Sequence, residues 1–552
     1  MKAAEAIVKI LEKEGITNAF GIPGAGINPV YKYLESAKIK HFLMRHEEAA
    51  VHAADGYYRA SGEMALAVCT SGPGATNFVT GMYTAWQDSI PLVALTGQAL
   101  SGLLGKGAFQ CVDIAEICKT VSKKTWCVKN ANTIPAVFRE AFETARSGRP
   151  GPVLIDLPLD VQLAEIEFDI NEYTPSTLKA PLPLKSSIEK AVKLIDEAKN
   201  PVILMGGGVI LSRAEAALLE FAQYMNLPVL TTYMAKGGIP DSHPLNAGQV
   251  GIQVGAASSG NEAFLAADVV LGIGCRFTDR HTGNVAVYQG ERKFIHIDID
   301  PSEIGKIVKT ELGIAADAGD ALKMLLAAAK AAGGARSRSL PDYAAARQKY
   351  VRKPDPSKKV IDPREVFEAV NLAFDDETQY TTGCGITQIW SGQYQRINKT
   401  RKYYPSGGAG TLGFDIPAAI GAAAATGKQS VCLIGDFGFT FLVEELGVAA
   451  AYKLPVVVLI VNNAYLGLIR QNQKYVMQYE YQVKMPENKN LLDYVKIAEG
   501  FACKAERVFT HEELAKALKN AAASKEPYVI DIICDDNTDC DMGPDIANIR
   551  RF

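Results

Sequence analysis

Short, nearly continuous runs of apolar residues recur along the whole chain, and each is followed by a helical pattern or a Gly-rich turn. Examples are ALAVCTSG, PVLIDLP, DVVLGIG, SVCLIGD and PVVVLIVNN. Strands of a parallel sheet are buried on both faces and carry apolar residues at successive positions, while helices between them indicate βαβ units. The sequence therefore predicts an α/β protein built on parallel sheets.

Two segments rich in Pro and charged residues interrupt this alternation, at 164–187 and 333–363. Such composition is typical of linkers. They divide the 552 residues into three pieces, each long enough for a doubly wound six-stranded sheet, followed by a C-terminal tail. The predicted boundaries are 1–165, 185–335 and 360–535 for the domains and 536–552 for the tail.

Charge and composition limit the partners. The net charge is −3, which does not favour nucleic acid or an anionic membrane. No apolar run reaches the roughly 20 residues of a membrane helix, and the charged first residues do not resemble a signal peptide. Ten cysteines without a C-x-x-C pair predict reduced thiols rather than a disulfide or zinc framework. We expect a cytoplasmic protein without nucleic-acid or membrane partners.

Two polar positions follow apolar runs in the third piece. Asp436 directly follows SVCLIG, and Asn463 ends PVVVLIVNN. Because parallel strands end at one edge of a sheet, where such sheets bind ligands, these side chains should lie side by side. Their oxygens suit Mg²⁺, with a main-chain carbonyl near Tyr465 as a further ligand. Gly435 and Gly438 let the main chain approach a diphosphate. A strand–turn–helix with a capping Asp remains the alternative.

The segment 433–463 resembles the thiamine-diphosphate fingerprint, in which G-D is followed by N-N. Residues 4–535 resemble the acetolactate synthase-like branch of thiamine-diphosphate enzymes, and most of all the glyoxylate carboligases. The resemblance implies pyrimidine-binding, central FAD-binding-like and diphosphate-binding domains, with thiamine diphosphate, Mg²⁺ and a structural FAD as cofactors. The implied thiamine-diphosphate contacts in the third piece are Gly410, Leu412, Gly435, Phe437, Gly438, Tyr465, Leu466 and Gly467.

Glu47 stands where such enzymes keep the glutamate that bonds N1′ of the aminopyrimidine. Sharing a proton with N1′ favours the imino form of the 4′-amino group, which can then remove the C2 proton of the thiazolium. A solvated helix charge at Glu47 or Glu48 is the alternative, and the following loop SGPGATN (71–77) argues against it. The active site of this family lies between two chains, so the resemblance implies a homodimer at minimum and a homotetramer as the expected form.

The same resemblance assigns residues around the reacting carbon. The Gly410 carbonyl would accept from the 4′-amino group, and Leu412 would force the cofactor into its bent shape. Phe109 would form an apolar wall, and Gln110 would hydrogen-bond the substrate. The expected catalytic residues are Glu47, Gln110, Phe109 and Gly26, with Gln98 beside the cofactor.

The central piece contains GIGCRFTDRHTG (272–283), which resembles the flavin-contacting segment of acetolactate synthases and glyoxylate carboligases. Gly-rich turns and an acidic strand end also suit main-chain contacts to a dinucleotide. FAD is structural rather than redox-active in these ligases. A central domain without flavin remains the alternative. The expected flavin contacts are Gly206, Gly207, Arg276, Arg280 and Asp298. Arg276 would reach either the flavin or the substrate carboxylate.

Details of the sequence separate the relatives. Acetolactate synthases usually have Trp in place of Asn472 and Lys in place of Leu159, and the string NNAYLGLIRQNQ (462–473) is similar to glyoxylate carboligases. One departure points the other way, because glyoxylate carboligases carry Val where this chain has Glu47. The expected substrate pocket comprises Cys384, Leu159, Asn472 and Leu468.

These resemblances imply a decarboxylating carboligase of small 2-oxo acids. The expected reaction joins two glyoxylate molecules to tartronate semialdehyde with loss of CO₂. The alternative is acetolactate formation from two pyruvate molecules, since one methyl group in a pocket is worth only about 1–3 kcal/mol. An acyl-CoA lyase, a pyruvate oxidase-type enzyme and a non-catalytic paralogue are less favoured interpretations.

Overall fold

The computed structural model describes residues 1–176, 180–254, 258–333, 337–349, 351, 355, 357, 359–485 and 492–542. Its strands form three six-stranded sheets. Every pairing between neighbouring strands in these sheets is parallel. The prediction of an α/β protein with three doubly wound parallel sheets is confirmed.

The first sheet comprises the strands β1 (Asn18–Gly21), β2 (Lys40–Leu43), β3 (Leu66–Cys69), β4 (Val93–Gln98), β5 (Lys124–Cys127) and β6 (Val153–Pro158). They lie in the order β2-β1-β3-β4-β6-β5. The helices of this part are α1 (Ala3–Lys13), α2 (Asn28–Leu34), α3 (Glu47–Ser61), α4 (Pro73–Thr76), α5 (Phe78–Asp88), α6 (Ile114–Ile117), α7 (Ile134–Arg146) and α8 (Leu159–Leu163).

The second sheet comprises β7 (Pro201–Met205), β8 (Val229–Thr231), β9 (Asn246–Gln249), β10 (Val269–Ile273), β11 (Lys293–Asp298) and β12 (Thr310–Ala315). They lie in the order β12-β11-β10-β7-β8-β9. The helices of this part are α9 (Lys185–Glu197), α10 (Gly207–Leu211), α11 (Glu215–Met225), α12 (Ser259–Leu265), α13 (Asp279–Thr282), α14 (Val285–Gln289), α15 (Ala318–Ala331) and α16 (Tyr343–Gln348).

The third sheet comprises β13 (Gln379–Thr382), β14 (Tyr403–Pro405), β15 (Ser430–Gly435), β16 (Val456–Asn462), β17 (Lys504–Val508) and β18 (Tyr528–Ile533). They lie in the order β14-β13-β15-β16-β18-β17. The helices of this part are α17 (Pro363–Ala373), α18 (Ile386–Tyr394), α19 (Asp415–Thr426), α20 (Asp436–Phe439), α21 (Leu446–Ala451), α22 (Gly467–Asn472), α23 (Tyr494–Gly500) and α24 (His511–Ala523).

The apolar runs of the sequence are the central strands. All residues of β3, β4, β6 and β16 are buried, as expected for parallel strands with helices on both faces. The first and third sheets share one strand order, since β2-β1-β3-β4-β6-β5 corresponds position by position to β14-β13-β15-β16-β18-β17. Their carboxyl edges can therefore be compared strand by strand.

Helices α3 and α19 bring the first and third sheets together. A Cβ atom added to Gly56 would collide with the carbonyl of Ala418, and one added to Gly421 would collide with the carbonyl of Ala53. The two main chains therefore approach closely at these glycines, which no larger residue would permit. The N-terminus of α3 carries Glu47, so this packing also fixes its position within the chain.

The predicted domain boundaries stay predictions, although the three sheets lie inside the predicted pieces. Part of the predicted tail packs against the third sheet, because Asp539 accepts hydrogen bonds from Arg470 (3.0 Å) and Tyr475 (2.7 Å), and Cys540 and Met542 are buried. The remainder of the tail, 543–552, lies outside the described residues. Within the part of the chain that the structure describes, no helix is both long and apolar enough to cross a membrane.

Candidate active site

Asp436 is fixed between the ends of two adjacent strands of the third sheet. Strands β15 and β16 pair in register up to Gly435 and Val461, and Asp436 follows with its side chain only 1% exposed. Its Oδ1 accepts from the N–H of Phe437 and its Oδ2 from the N–H of Ala464, both at 2.7 Å. The carboxylate thereby locks the two strand ends together.

Asn463 supplies the second polar group at this edge. The side chain is buried, and its Nδ2 has no hydrogen-bond partner among the described residues. A buried amide NH₂ group without an acceptor is costly unless a ligand atom such as a phosphate oxygen supplies one, and the amide oxygen is the atom that can bind a cation. The described residues contain no cluster of three or more His, Cys, Asp or Glu suited to a metal. A cation here would need one carboxylate, one amide and main-chain oxygens, a ligand set that suits Mg²⁺.

The turn after Asn463 is held by a short antiparallel bridge. Leu466 donates to the carbonyl of Val483 (2.8 Å), and Met485 donates to the carbonyl of Ala464 (2.9 Å). The guanidinium of Arg470 lies over the ring of Tyr465, with its Cζ 4.6 Å from the ring centre. Helix α22 follows, and it carries the predicted pocket residues Leu468 and Asn472, both half-buried.

The predicted contacts at 384, 410 and 412 lie around this same edge. Gly410 has a φ of +63° and donates to the carbonyl of Ser406 at 3.0 Å. A Cβ added to Gly410 would lie 3.7 Å from Sγ of Cys384, and one added to Gly438 would lie 3.7 Å from Cδ2 of Leu412. Burial raises the pKa of the Cys384 thiol, which keeps it a neutral apolar wall.

Glu47 begins helix α3 beside the loop that follows β3. Its Oε2 accepts from Nδ2 of Asn77 at 2.8 Å, and a Cβ added to Gly74 would lie 3.1 Å from Oε1. The glycine thus leaves room for the half-buried carboxylate. Asn77 was not among the predicted site residues, although it closes the SGPGATN loop that pointed to this region.

The other residues predicted around the reacting carbon differ in burial and in their contacts. Gln98 is buried, and its amide donates to the carbonyl of Val112 (2.7 Å) and to Asp156 (2.9 Å). Gln110 adopts a φ of +52°. Phe109, by contrast, is 88% exposed, so the chain by itself does not complete an apolar wall there.

Gly26 and Leu159 lie elsewhere at the carboxyl edge of the first sheet. Gly26 donates to Oγ1 of Thr70 at 3.2 Å, and its carbonyl accepts from Nε2 of Gln162 at 2.6 Å. Leu159 is half-buried at the first position of α8. The contacts of Glu47 and Gly26 are made within the first sheet's part of the chain, whereas those of Asp436 are made within the third.

A cavity of about 420 Å³ lies where the three sheets' parts of the chain meet. Asp298, at the end of β11, accepts from the N–H of Asp300 at 2.9 Å, and burial raises its pKa to about 6. Arg276 donates to the carbonyl of Gln87 at 2.6 Å. Gly206, next to the cavity, packs against the carbonyl of Gly274. The predicted flavin contacts that line the cavity are Gly207, Arg276, Arg280 and Asp298.

A buried charged group at this cavity was not foreseen from the sequence. Arg59 forms ion pairs with Asp55 and Asp88 and donates to the carbonyl of Pro405 at 2.8 Å. Asp88 also accepts from the N–H of Gly408 at 2.7 Å. The group joins residues more than 300 positions apart, so no local pattern indicated it.

Comparison with known proteins gives a family for this arrangement. Three family models of thiamine pyrophosphate enzymes match the chain: the N-terminal TPP binding domain at residues 1–117, the central domain at 188–325 and the C-terminal TPP binding domain at 383–532. The Asp436 edge lies in the third match and Glu47 in the first.

Curated relatives match over nearly the whole chain. A glyoxylate carboligase of Escherichia coli O157:H7 is 44% identical, over 100% of this chain and 96% of the relative. A probable acetolactate synthase large subunit of Methanocaldococcus jannaschii is 43% identical over 97% and 92%, and an acetolactate synthase large subunit of Corynebacterium glutamicum is 40% identical over 97% and 87%. The predicted kinship is confirmed: the chain belongs to the thiamine pyrophosphate enzymes, in the group that contains glyoxylate carboligase and the acetolactate synthase large subunits.

Proposed function

We propose that this protein is a thiamine-diphosphate-dependent carboligase that joins two glyoxylate molecules to tartronate semialdehyde and releases CO₂. The observation that carries the proposal is the third-sheet edge, where Asp436 is fixed between two strand ends beside the incompletely bonded amide of Asn463. The choice of glyoxylate is supported by the 44% identity to a glyoxylate carboligase and by Leu159 and Asn472, which depart from the acetolactate synthase pattern.

The chain's own groups have defined tasks in this proposal. Asp436 and Asn463, with a carbonyl near Tyr465, would hold Mg²⁺ and through it the diphosphate. The Gly435 and Gly438 turn lets the main chain come close to the phosphates. Bound thiamine diphosphate supplies the stabilised carbanion at C2 that neither substrate can provide. The protein orients that centre and excludes water from it.

Proton transfer falls to Glu47. Asn77 donates to Oε2 of Glu47 at 2.8 Å, which orients the carboxylate and leaves Oε1 to share a proton with N1′ of the aminopyrimidine. The Gly410 carbonyl would accept from the 4′-amino group, and Leu412 would set the bend between the rings. Cys384, Leu468 and Gln110 would surround the substrate.

We further propose a structural FAD in the 420 Å³ cavity. The residues that support it are Gly207, Arg276, Arg280 and Asp298, which line the cavity at strand ends of the central sheet, as in other dinucleotide sites. The purified protein should carry the absorption bands of an oxidised flavin. Those bands should persist unbleached while substrate turns over anaerobically, since a structural flavin takes no electrons from the reaction.

The working form is proposed to be a cytoplasmic homodimer or a tetramer of such dimers. The supporting observation is apolar surface left exposed at the first edge, where Phe109 is 88% exposed and Leu100 and Leu103 are each 42% exposed in the single chain. A partner chain would cover Phe109 and bring its Asp436 edge against Glu47. Sedimentation equilibrium of the holoenzyme should therefore give a mass of at least two chains.

Product analysis tests the function. Purified protein with thiamine diphosphate, Mg²⁺ and FAD is given glyoxylate or pyruvate in separate reactions. Tartronate semialdehyde and CO₂ in a 1:1 ratio from glyoxylate is the expected result. Acetolactate from pyruvate with little glyoxylate turnover would instead select the second candidate, acetolactate synthesis, which Glu47 favours. Absence of both products, with cofactor bound, would reject the carboligase proposal.

A further inference from the structure

Asp415, the first residue of α19, carries a buried carboxyl group that the proposed chemistry does not use. The side chain is 1% exposed. Its Oδ1 accepts a hydrogen bond from the N–H of Gly383, whereas Oδ2 has no hydrogen-bond donor among the described residues. An ionised oxygen that is buried and unpaired loses its hydration without replacement, which is strongly unfavourable. The position therefore calls for a proton or a ligand.

The surroundings of Oδ2 indicate a proton. A Cβ added to Gly383 would collide with Asp415 Oδ2, and it would lie 2.7 Å from the main-chain oxygen of Thr411. Both oxygens therefore border the same small space beside Gly383. Two oxygens that only accept repel each other, but a protonated carboxyl group carries an O–H that can donate to a carbonyl.

The space lies between two loops that lead to the proposed site: the 382–385 turn, which carries Cys384, and the 406–411 loop, which carries Gly410. Gln388 already links them, because its Nε2 donates to the carbonyl of Gly383 and to that of Ser406, the latter at 3.1 Å. The Thr411 N–H donates to Oγ of Ser406 at 3.1 Å. Asp415 is bonded to the first of these loops through the Gly383 N–H, and its Oδ2 borders the same space as the Thr411 carbonyl of the second.

We propose that Asp415 is a positioning residue that clamps these two loops as a neutral acid, accepting from the Gly383 N–H through Oδ1 and donating from Oδ2–H to the Thr411 carbonyl. The clamp deepens the proposed function, on which it rests, because it sets the distance between Cys384 and Gly410 at the reacting centre. Loss of the proton replaces the donated hydrogen bond by repulsion between two oxygens and loosens the 406–411 loop.

The electrostatic surroundings agree with a carboxyl group that keeps its proton up to about neutral pH. Burial raises the pKa of Asp415 to about 7, against the opposing effect of the Gly383 N–H. From helix α3, packed on α19, His52 and Arg59 lie against Phe414, the residue before Asp415. The titratable groups facing this region are Cys384, Cys432 and Tyr233 with raised pKa values, Arg280 near Cys384, and His52 and Arg59 of α3.

The first test uses thermal unfolding of the full-length protein and needs no activity. The raised pKa of Asp415 means that the folded chain holds its proton more tightly than the unfolded chain, so this group costs stability as pH rises from about 4 to about 7. Asp415→Asn keeps an acceptor and a donor but does not titrate. We expect the Tm of D415N to exceed that of the wild type at pH 8, with the difference narrowing toward pH 5.

Asp415→Ala removes both hydrogen bonds, and its Tm should lie below the wild type at pH 5. Asp376→Asn is the matched control, because Asp376 is an exposed residue of the same part of the chain, and its pH dependence should follow the wild type. D415N with a Tm below the wild type at every pH, or with the same pH dependence as the wild type, would overturn the clamp.

The second test uses kinetics. Wild-type kcat should fall above about pH 7 with the loss of one proton, whereas D415N should lack that fall. D415A should lose roughly tenfold in kcat with little change in KM. D415N should keep most of the wild-type kcat. If the wild type yields no carboligation product, the proposed function fails while the Tm series still decides the clamp. If product forms and D415N keeps the wild-type pH profile, the clamp alone fails.

Discussion

The carboxyl edges of the first and third sheets share one strand order but differ in how far the chain completes them. At the third edge Asp436 is 1% exposed and both of its oxygens accept main-chain hydrogen bonds. At the first edge Glu47 is half-buried, and Phe109 nearby is 88% exposed. Within one chain, the carboxylate at the third edge is buried and held by the main chain, whereas the first edge leaves apolar surface exposed.

Under the proposed function, this contrast explains which type of residue each edge contributes. Cation and phosphate ligands must be rigid, so they stand on strand ends locked by main-chain hydrogen bonds. A group that exchanges a proton with a cofactor held by another chain must instead stay reachable. Variants at Asp436 and Glu47 test whether the third edge binds the cofactor and the first edge transfers the proton.

The largest effect is expected from Asp436→Ala. Without its carboxylate the third edge loses the proposed Mg²⁺ ligand, and thiamine-diphosphate affinity in the presence of Mg²⁺ should fall at least about 100-fold. Isothermal titration of the apoprotein measures it. Asp436→Asn keeps a hydrogen-bond acceptor for Ala464 and separates loss of charge from loss of structure, while Asp376→Ala is the exposed control. Cofactor affinity within twofold of the wild type in D436N would contradict the assignment.

Glu47→Gln should affect the chemistry rather than the binding. The amide cannot share a proton with N1′, so C2–H exchange of bound thiamine diphosphate should slow by roughly 100-fold or more. Asn77 can still donate to the amide oxygen, which keeps the side chain in place. Proton–deuterium exchange followed by NMR measures the rate, with the exposed Glu35→Gln as control. An unchanged exchange rate in E47Q would show that Glu47 takes no part in C2 deprotonation.

A mixture of the two defective chains measures whether the edges meet across a dimer. If Glu47 of one chain serves the Asp436 edge of its partner, unfolding and refolding E47Q with D436A in equal amounts produces hybrid dimers with one intact site. Activity should then return to about a quarter of the wild-type value. Mixed chains as inactive as the separate variants would place both residues in a site within one chain.

The part of the fold that local patterns determine could be predicted. The apolar runs predict three parallel sheets. The G-D and N-N pairs at two strand ends predict that Asp436 and Asn463 lie at one edge of the third sheet. Parallel strands β15 and β16 are neighbours, which is why two short motifs sufficed. At the first edge, the role of Glu47 was predicted from the family resemblance, whereas its hydrogen-bond donor Asn77 was not predicted.

Other features required the tertiary structure because their partners are distant in sequence. The place of Gln98 beside the cofactor stays a prediction, and no pattern around residue 98 reveals that its amide donates to Val112 and Asp156. Asp415 reads as an ordinary helix-initiating residue, and only the contact with Gly383 makes it unusual. The hydrogen bonds of such polar residues depend on residues distant in sequence, whereas an apolar run predicts a buried strand from its own residues.

The smallest expected effect concerns the link between the two edges. Glu445 of the third sheet's part of the chain is fully buried, and its Oε1 accepts from the N–H groups of Arg45 (3.0 Å) and His46 (2.9 Å), directly before Glu47. Burial raises the pKa of Glu445 to about 8. The folded chain therefore holds this proton more tightly than the unfolded chain, and the group costs stability as pH rises from about 4.5 to about 8.

Glu445→Gln keeps the Oε1 acceptor and removes the titration. The Tm of E445Q should exceed that of the wild type by about 1–3 °C at pH 8, and the difference should shrink toward pH 5, as scanning calorimetry would measure. Glu35→Gln, at an exposed position, should show no such trend. A Tm difference that stays constant with pH would mean that Glu445 is ionised over the whole pH range. The N–H groups of Arg45 and His46 would then be bonded to a carboxylate rather than to a neutral carboxyl group.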